Sequence, residues 1–303
     1  MAAPTLTPAG PGAGSLRAMR PTRGALIADR AATFFMVGAF AACMVPLLAV
    51  LGLVVKRGLG RFDGTFFGHS MRNVAAQDAG GGAYHAILGT LEQVAIASIL
   101  AIPLGLVVAI YLVEVGAGKR LAVAVRYVVD VMTGLPSIVA GLFILSFWVL
   151  ALHRGFSGFA GALSLAILML PVVVRSAEEM LRLVPDELRE AGLALGLARW
   201  RIVLRVVLPT ALPGIVTGIM LAVARITGET APLLLTVFGT DSINSSPFNG
   251  PQSALPLFVF DQAGRPNETA INRAWAGALT LILIVVVLNL VARLLSRRNR
   301  LTR

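Results

Sequence analysis

The sequence predicts an all-α polytopic membrane protein with six transmembrane helices. Three observations lead there. Hydrophobic residues fill 57% of the 303 positions, with a mean hydropathy of +0.83. Charged residues fill only 14%, against about 25% in an ordinary soluble domain. Several apolar stretches also reach the roughly 20 residues that a helix needs to cross a hydrocarbon core. The bilayer interior offers no water to backbone N–H and C=O groups, so a spanning segment must close its own hydrogen bonds, which a helix does. A transmembrane barrel would alternate apolar and polar positions, whereas these stretches are apolar all round.

Taken in order, residues 1–30 are rich in Ala, Gly and Pro and carry Arg17, Arg20, Arg23 and Arg30. They read as a disordered basic tail. Spans follow near 33–55, 87–113, 127–151, 158–175, 210–238 and 275–295. An even number places both termini on one side. With that side inward, 18 Lys and Arg residues lie inside and 7 outside, leaving Arg225 within a span. The positive-inside rule then puts both termini in the cytoplasm. The net charge of +11 sits at membrane borders, so it reads as topology and lipid contact, and no nucleic-acid partner is expected. The first outer loop, with Lys56, Arg57, Arg61 and Arg72, is more basic than the rule prefers. It is either ordinary loop chemistry or an attraction for anions.

Cys43, the single cysteine, has no partner for a disulfide or a metal and reads as a small buried apolar residue. Pro46, Pro103, Pro136, Pro171, Pro213 and Pro232 interrupt the spans, and each removes a helical hydrogen bond. Small residues such as Gly134, Gly214 and Gly218 allow close helix approach. Such a bundle suits either a moving pathway or a static pack with ordinary Gly and Pro content. Between spans 5 and 6, Ala254 to Phe260 is apolar but too short to cross. It reads as an interfacial or lip helix on the outer face. Glu92 and Asp130 fall near span ends and read as interfacial, and His69, His85 and His153 lack ligand spacing, so no metal site is expected.

Two stretches carry polar information that spans do not need. The first is the loop before span 5. Val184-Pro185-Asp186-Glu187 reads as a helix start, since proline is tolerated in the first turn and acids complement the positive helix end. Leu188 to Leu195 continue it and Gly196 is placed to end it. Small residues at Ala191 and Gly192 leave room for a partner surface. The second stretch is Ala224-Arg225-Ile226-Thr227-Gly228-Glu229-Thr230-Ala231-Pro232 in span 5. Arg225 and Glu229, four apart, share one helix face. A charge at a span centre costs about 2.5–3.5 kcal/mol or more on insertion scales, so it is kept for a reason. One reason is a buried ion pair that locks the bundle. The other is an anion station: the arginine fork suits oxyanions, Thr227 and Thr230 add hydroxyls, and Glu229 can accept a proton-bearing hydrogen bond that phosphate offers and sulfate does not.

The loop string Glu190-Ala191-Gly192, then Gly196 after three residues, then Val206, Leu208 and Pro209 after nine more, resembles the EAA loop of type I ABC importer permeases. Gly192 and Val206 depart conservatively from the usual Ala and Ile. The resemblance implies the MetI-like fold and a coupling helix, formed by Glu190, Ala191, Gly192, Gly196, Leu208 and Pro209, that docks on an ATP-hydrolysing subunit. Gly228 to Leu234, and Gly134-Leu135-Pro136-Ser137-Ile138-Val139-Ala140-Gly141-Leu142-Phe143, are similar to the PstA family of phosphate permeases. That likeness runs from about residue 86 to 295. It implies that Arg225, Glu229, Thr227 and Thr230 line a path for inorganic phosphate in a bacterial plasma (inner) membrane. It also implies a PstC-like second permease, a PstB-like ATPase dimer and a PstS-like binding protein as partners. The chain then divides into a tail (1–30), a first helix and outer loop (31–85), the permease domain (86–295, coupling loop 176–208) and a basic tail (296–303).

No Walker A loop is present: Gly118-Lys119 is followed by Arg120, not Ser or Thr. The expectation is that ATP and Mg²⁺ are held by the partner ATPase, with no cofactor in this chain. No catalytic constellation is legible either, which argues against a membrane enzyme. An importer for sulfate, molybdate or a polar organic solute stays open, because Arg225 fits several anions.

Overall fold

The computed structural model describes residues 23–116 and 118–298. They form twelve helices: α1 (Arg23–Gly58), α2 (Gly64–Gly68), α3 (Tyr84–Ile110), α4 (Arg120–Thr133), α5 (Ser137–Ile144), α6 (Gly158–Arg182), α7 (Asp186–Ala194), α8 (Arg199–Ile202), α9 (Leu208–Thr227), α10 (Ala231–Thr236), α11 (Leu255–Ala263) and α12 (Glu268–Arg298). Wider π turns extend α3 through Tyr111–Val115, extend α5 through Leu145–Ala151, and join α8 to α9 through Val203–Val207. Five helical stretches are long and apolar enough to cross a membrane, and α4 with α5 makes a sixth if that bent pair is one span.

Two compact units divide the chain, residues 1–53 and 54–303. The described part of the first is a single helix, the bulk of α1, exposed along nearly its whole length. Its helix begins at Arg23, so residues 23–30 are helical and not a disordered tail; residues 1–22 lie outside the described residues. Cys43 is exposed, contrary to its reading as a buried residue. At the far end, helix α12 continues through Arg298, so residues 296–298 of the expected basic tail are helical and 299–303 lie outside the described residues.

In the second unit α6 is the central element, packed against α3 on one side and α9 on the other. A core of Val94, Ala97, Ala101, Leu165, Met169, Val173, Ala222 and Ile226 fills one half of this three-helix contact. Ala109, Ala177, Leu181, Val184, Ile202, Val207 and Ile215 fill the half beneath α7.

Two spans are broken where sequence alone suggests only kinks. The expected third span is α4 and α5, bent by 104° across Gly134-Leu135-Pro136. A proline cannot donate to the carbonyl four residues back and its ring clashes with it, so Pro136 restarts the chain as the N-cap of α5 at φ −57°, ψ 137°. The expected fifth span, 210–238, begins earlier, at Arg199, and its long helix ends at Thr227. Pro232 would clash with the carbonyl of Gly228 in a continuous helix, so the chain opens there and α10 starts afresh. The two broken segments pack on each other: a Cβ built on Gly141 of α5 would lie 2.7 Å from Pro232 Cα of α10. Only glycine permits that approach. The strings around Gly134 and Gly228, distant in sequence, are therefore neighbours in space.

Helix α11 buries one face: Leu255, Pro256, Leu257, Phe258 and Gln262 are buried, Leu255 and Phe258 in a cluster with Phe66, Met71, Ala86 and Ala276 and Leu257 in the central core. In the loop before α3, Asp63 caps α2 by accepting from the Phe66 N–H at 2.8 Å. The Thr65 hydroxyl and that N–H hold its carboxyl below the ordinary aspartate range.

Candidate functional site

Along α6 and α9, Gly214 meets Met180 and Gly218 meets Ser176. One helix advances four residues as the other retreats four, so the pair is antiparallel in constant register. Extending that register sets Arg225 abreast of Met169, near the midpoint of α6. The gap between α9 and α10 thus opens halfway along the bundle, and Arg225 occupies the last turn of α9 at that gap. A cation there complements the negative end of the helix dipole.

The Arg225 side chain is 50% exposed and Glu229 19%. Arg225 Nε lies 3.8 Å from Glu229 Oε1, an ion-pair separation too long for a hydrogen bond. Sequence reasoning expects both on one helix face; instead Glu229 stands beyond the helix end, and the pair meets across the gap. This loose contact does not lock the bundle. Thr227 does not join them. It is buried, and its hydroxyl donates to the Val223 carbonyl at 2.7 Å, so it is spent within α9. The Gly228 and Glu229 N–H groups close the end of α9 on the Arg225 and Ile226 carbonyls and are not offered to a ligand. Thr230, at the N-cap of α10, makes no capping bond with its side chain.

The second stretch folds as sequence reasoning expects in outline. Pro185 is the N-cap of α7, with Asp186 and Glu187 in its first turn. At its end Gly196 takes φ +73°. Its N–H donates to Leu193 O at 2.9 Å, and the Leu197 N–H donates to Gly192 O at 3.1 Å. These two bonds are the Schellman closure, which wants glycine at the left-handed position. Gly196→Val is expected to cost about 1–2 kcal/mol or more at this cap, read as a lower thermal midpoint of the purified chain in detergent.

The motif residues divide by role. Glu190 and Ala191 are exposed. Gly192 is buried, with Ile202 so close that a Cβ would lie 2.9 Å from Ile202 Cγ1. It therefore serves the fold of the loop and does not face a partner. Leu208 and Pro209 are half-buried in the first turn of α9, so the 176–208 stretch is mostly helix. Leu193, Leu195 and Trp200 stand exposed beside Glu190, and the Arg201 guanidinium lies 5.1 Å from the Trp200 ring centre.

Two groups escape sequence reasoning. Arg189 is 19% exposed and reaches Glu114 at 3.0 Å, 75 positions away. Glu178 is buried and accepts from Arg126 at 2.7 Å and Arg182 at 2.6 Å, while Arg175 also pairs with Asp130. Glu92, expected at an interface, accepts from Gln252 at 2.5 Å. The usable signals are local, the i,i+4 spacing of Glu178 with Arg182 and the i,i+3 spacings of Arg175 with Glu178 and of Asp186 with Arg189; the contacts of Arg126 with Glu178 and of Arg189 with Glu114 are long-range.

This geometry matches solved permeases. One chain of the MetNI methionine ABC transporter, in an inward facing form, aligns with a TM-score of 0.57 at 21% identity, covering 71% of this chain and 94% of that one. A chain of a bacterial ABC transporter that imports the acidic polysaccharide alginate aligns with a TM-score of 0.59 at 14% identity, covering 90% and 98%. The fold is that of the membrane subunit of an ABC importer. Residues 101–301 match the model of the binding-protein-dependent transport system inner membrane component. The phosphate transport system permease protein PstA 1 of Mycobacterium tuberculosis (strain ATCC 25618 / H37Rv) is 46% identical over 91% of both chains. PstA of Mycobacterium leprae (strain TN) is 46% identical over 87% of each. The chain belongs to the binding-protein-dependent inner membrane component family, within its PstA branch. It is a multi-pass membrane permease subunit and not an enzyme; ATP hydrolysis in such an importer belongs to a separate subunit.

Proposed function

We propose that this chain is the permease subunit of an ATP-driven importer of inorganic phosphate in a bacterial inner membrane, forming half of the translocation pathway with both termini in the cytoplasm. The observation that carries the substrate is a half-exposed Arg225 3.8 Å from the largely buried Glu229 at a mid-bundle helix break. A guanidinium fork binds a tetrahedral oxyanion. The carboxylate beside it accepts a hydrogen bond from a protonated phosphate oxygen and repels fully ionised sulfate. Thr230 sits next to this pair and supplies a hydroxyl; Thr227 supports the helix end.

The partners that fit are a PstC-like second permease, a PstB-like ATPase dimer and a PstS-like binding protein. ATP and Mg²⁺ belong on the ATPase dimer, and α7, with Glu190 and Ala191 exposed beside Leu193 and Trp200, is the segment that meets it. Closure of the dimer on ATP moves α7, and the broken spans convert that movement into a change of access. The test is reconstitution of all four components in liposomes. Phosphate-loaded binding protein is expected to stimulate hydrolysis, and sulfate or molybdate is not. Stimulation by sulfate or molybdate in place of phosphate would transfer the assignment to that anion.

A further inference from the structure

The Arg189 guanidinium gathers three elements. Its Nε and Nη2 donate to Glu114 Oε1 at 3.2 and 3.0 Å. Its Nη2 also donates to Leu181 O at 3.0 Å, and Nη1 to Val184 O at 2.7 Å and Asp186 Oδ1 at 2.9 Å. Leu181 and Val184 lie at the end of α6, where carbonyls lack helical partners; Asp186 opens α7; Glu114 lies in the π turn that ends α3. The backbone of α7 packs on α8 and the π turn after it, where Gly192 rests on Ile202. Thus α7 packs on α8 and the π turn that lead into α9, and its Arg189 hydrogen-bonds the turn that ends α3.

The Glu114 half of this contact has no evident structural duty. Capping of α6 needs only the arginine and the carbonyls. Glu114 and Arg189 are 13% and 19% exposed, so water screens their attraction little. A π turn is a common place for a helix to be adjusted. The same turn is gripped at Leu112 O by Arg126, at 2.9 Å, which also bonds Glu178 of α6.

We propose that Glu114 is a positioning residue for energy coupling: the Arg189–Glu114 pair delivers the displacement of α7 to α3, while Gly192–Ile202 delivers it to α9. This rests on the docking of α7 proposed above. The test uses the reconstituted four-component importer and reads phosphate moved per ATP hydrolysed. Glu114→Gln keeps the volume and an acceptor oxygen, so Arg189 still caps α6, but the charge is gone. The ratio is expected to fall at least about fivefold, the lower end of ordinary coupling between sites. Combining it with Arg189→Gln is expected to add nothing beyond the worse single variant, the signature of one shared interaction. A wild-type ratio in assembled Glu114→Gln, or additive losses in the double variant, would overturn the link. Where Glu114→Gln does not assemble, Glu114→Asp retains the charge but withdraws it by one methylene; an intermediate ratio supports the link and a wild-type ratio overturns it. Wild-type importer run alongside separates the two proposals, since failure of phosphate to stimulate it counts against the proposed function, whereas normal wild-type coupling with a normal variant counts only against the link.

Discussion

Arg225→Ala is expected to abolish phosphate uptake while the importer still assembles. The side chain is half-exposed and meets Glu229 only at 3.8 Å, so truncation leaves no buried group stripped of a close partner. What is lost is a charged hydrogen-bond donor at the middle of the proposed pathway. Hydrogen bonds to a charged group contribute about 1.5–3 kcal/mol each, so losing a forked pair of them, about 3–6 kcal/mol, lowers uptake by roughly 100-fold or more. Arg225→Lys keeps the charge without the fork and is expected to fall between. Radiolabelled phosphate uptake into proteoliposomes, with co-purification of the ATPase as the assembly control, decides it. Wild-type uptake in Arg225→Ala would remove Arg225 from the pathway. Glu229→Gln should retain phosphate transport and weaken discrimination against sulfate, because the repelling charge is gone.

The sequence displays what local rules govern and hides what the tertiary structure assembles. Five spans, or six if the bent pair α4 and α5 is one, were legible in outline because apolar runs of span length leave few alternatives. The short helix α7 was legible down to its ends: Pro185 at the start and Gly196 at φ +73° are demanded by capping, which depends on neighbours in sequence. The breaks were half-legible. Pro136 and Pro232 announced a disturbance, but whether a proline kinks a helix or ends it depends on what packs there. Here Gly141 against Pro232 rewards complete interruption by seating one broken segment on the other. Site roles failed in a similar way. Thr227 offered a hydroxyl on paper, yet a buried threonine in a helix has its own backbone carbonyl within reach. Gly192 offered room for a partner, and Ile202 of the same chain took it. Contacts such as Arg189 with Glu114, or Gln93 with Gln252 at 2.9 Å, join residues 75 and 159 positions apart, beyond any pattern in one sequence.

Arg273→Met is expected to give the largest loss of structural stability. Arg273 precedes the last expected span, 275–295, and is completely buried in α12. Its Nε donates to Gln262 Oε1 at 3.0 Å, Nη1 to the Asp78 and Gly80 carbonyls at 2.8 and 2.9 Å, and Nη2 to the Ala76 carbonyl at 2.8 Å. One guanidinium therefore supplies donors to three backbone acceptors in a segment with almost no regular structure, and fixes α11 to α12 besides. Methionine fills much of the volume and supplies no donor. A buried acceptor left without a partner costs about 1–3 kcal/mol; Gln262 Oε1 is buried, the Asp78 and Gly80 carbonyls are part-buried, and Ala76 O retains another donor, the Thr269 hydroxyl at 2.6 Å. The loss should concentrate in the loop, because the helices on either side keep their own hydrogen bonds. Backbone amides between residues 69 and 83 are expected to exchange with solvent far faster in Arg273→Met, with a lower thermal midpoint in detergent. Arg273→Lys, which keeps the charge but cannot reach four acceptors at once, should show a smaller version of the same change. Wild-type exchange protection in Arg273→Met would mean that the segment is held by its apolar contacts, through Phe66 and Met71, and that the arginine is incidental to its order.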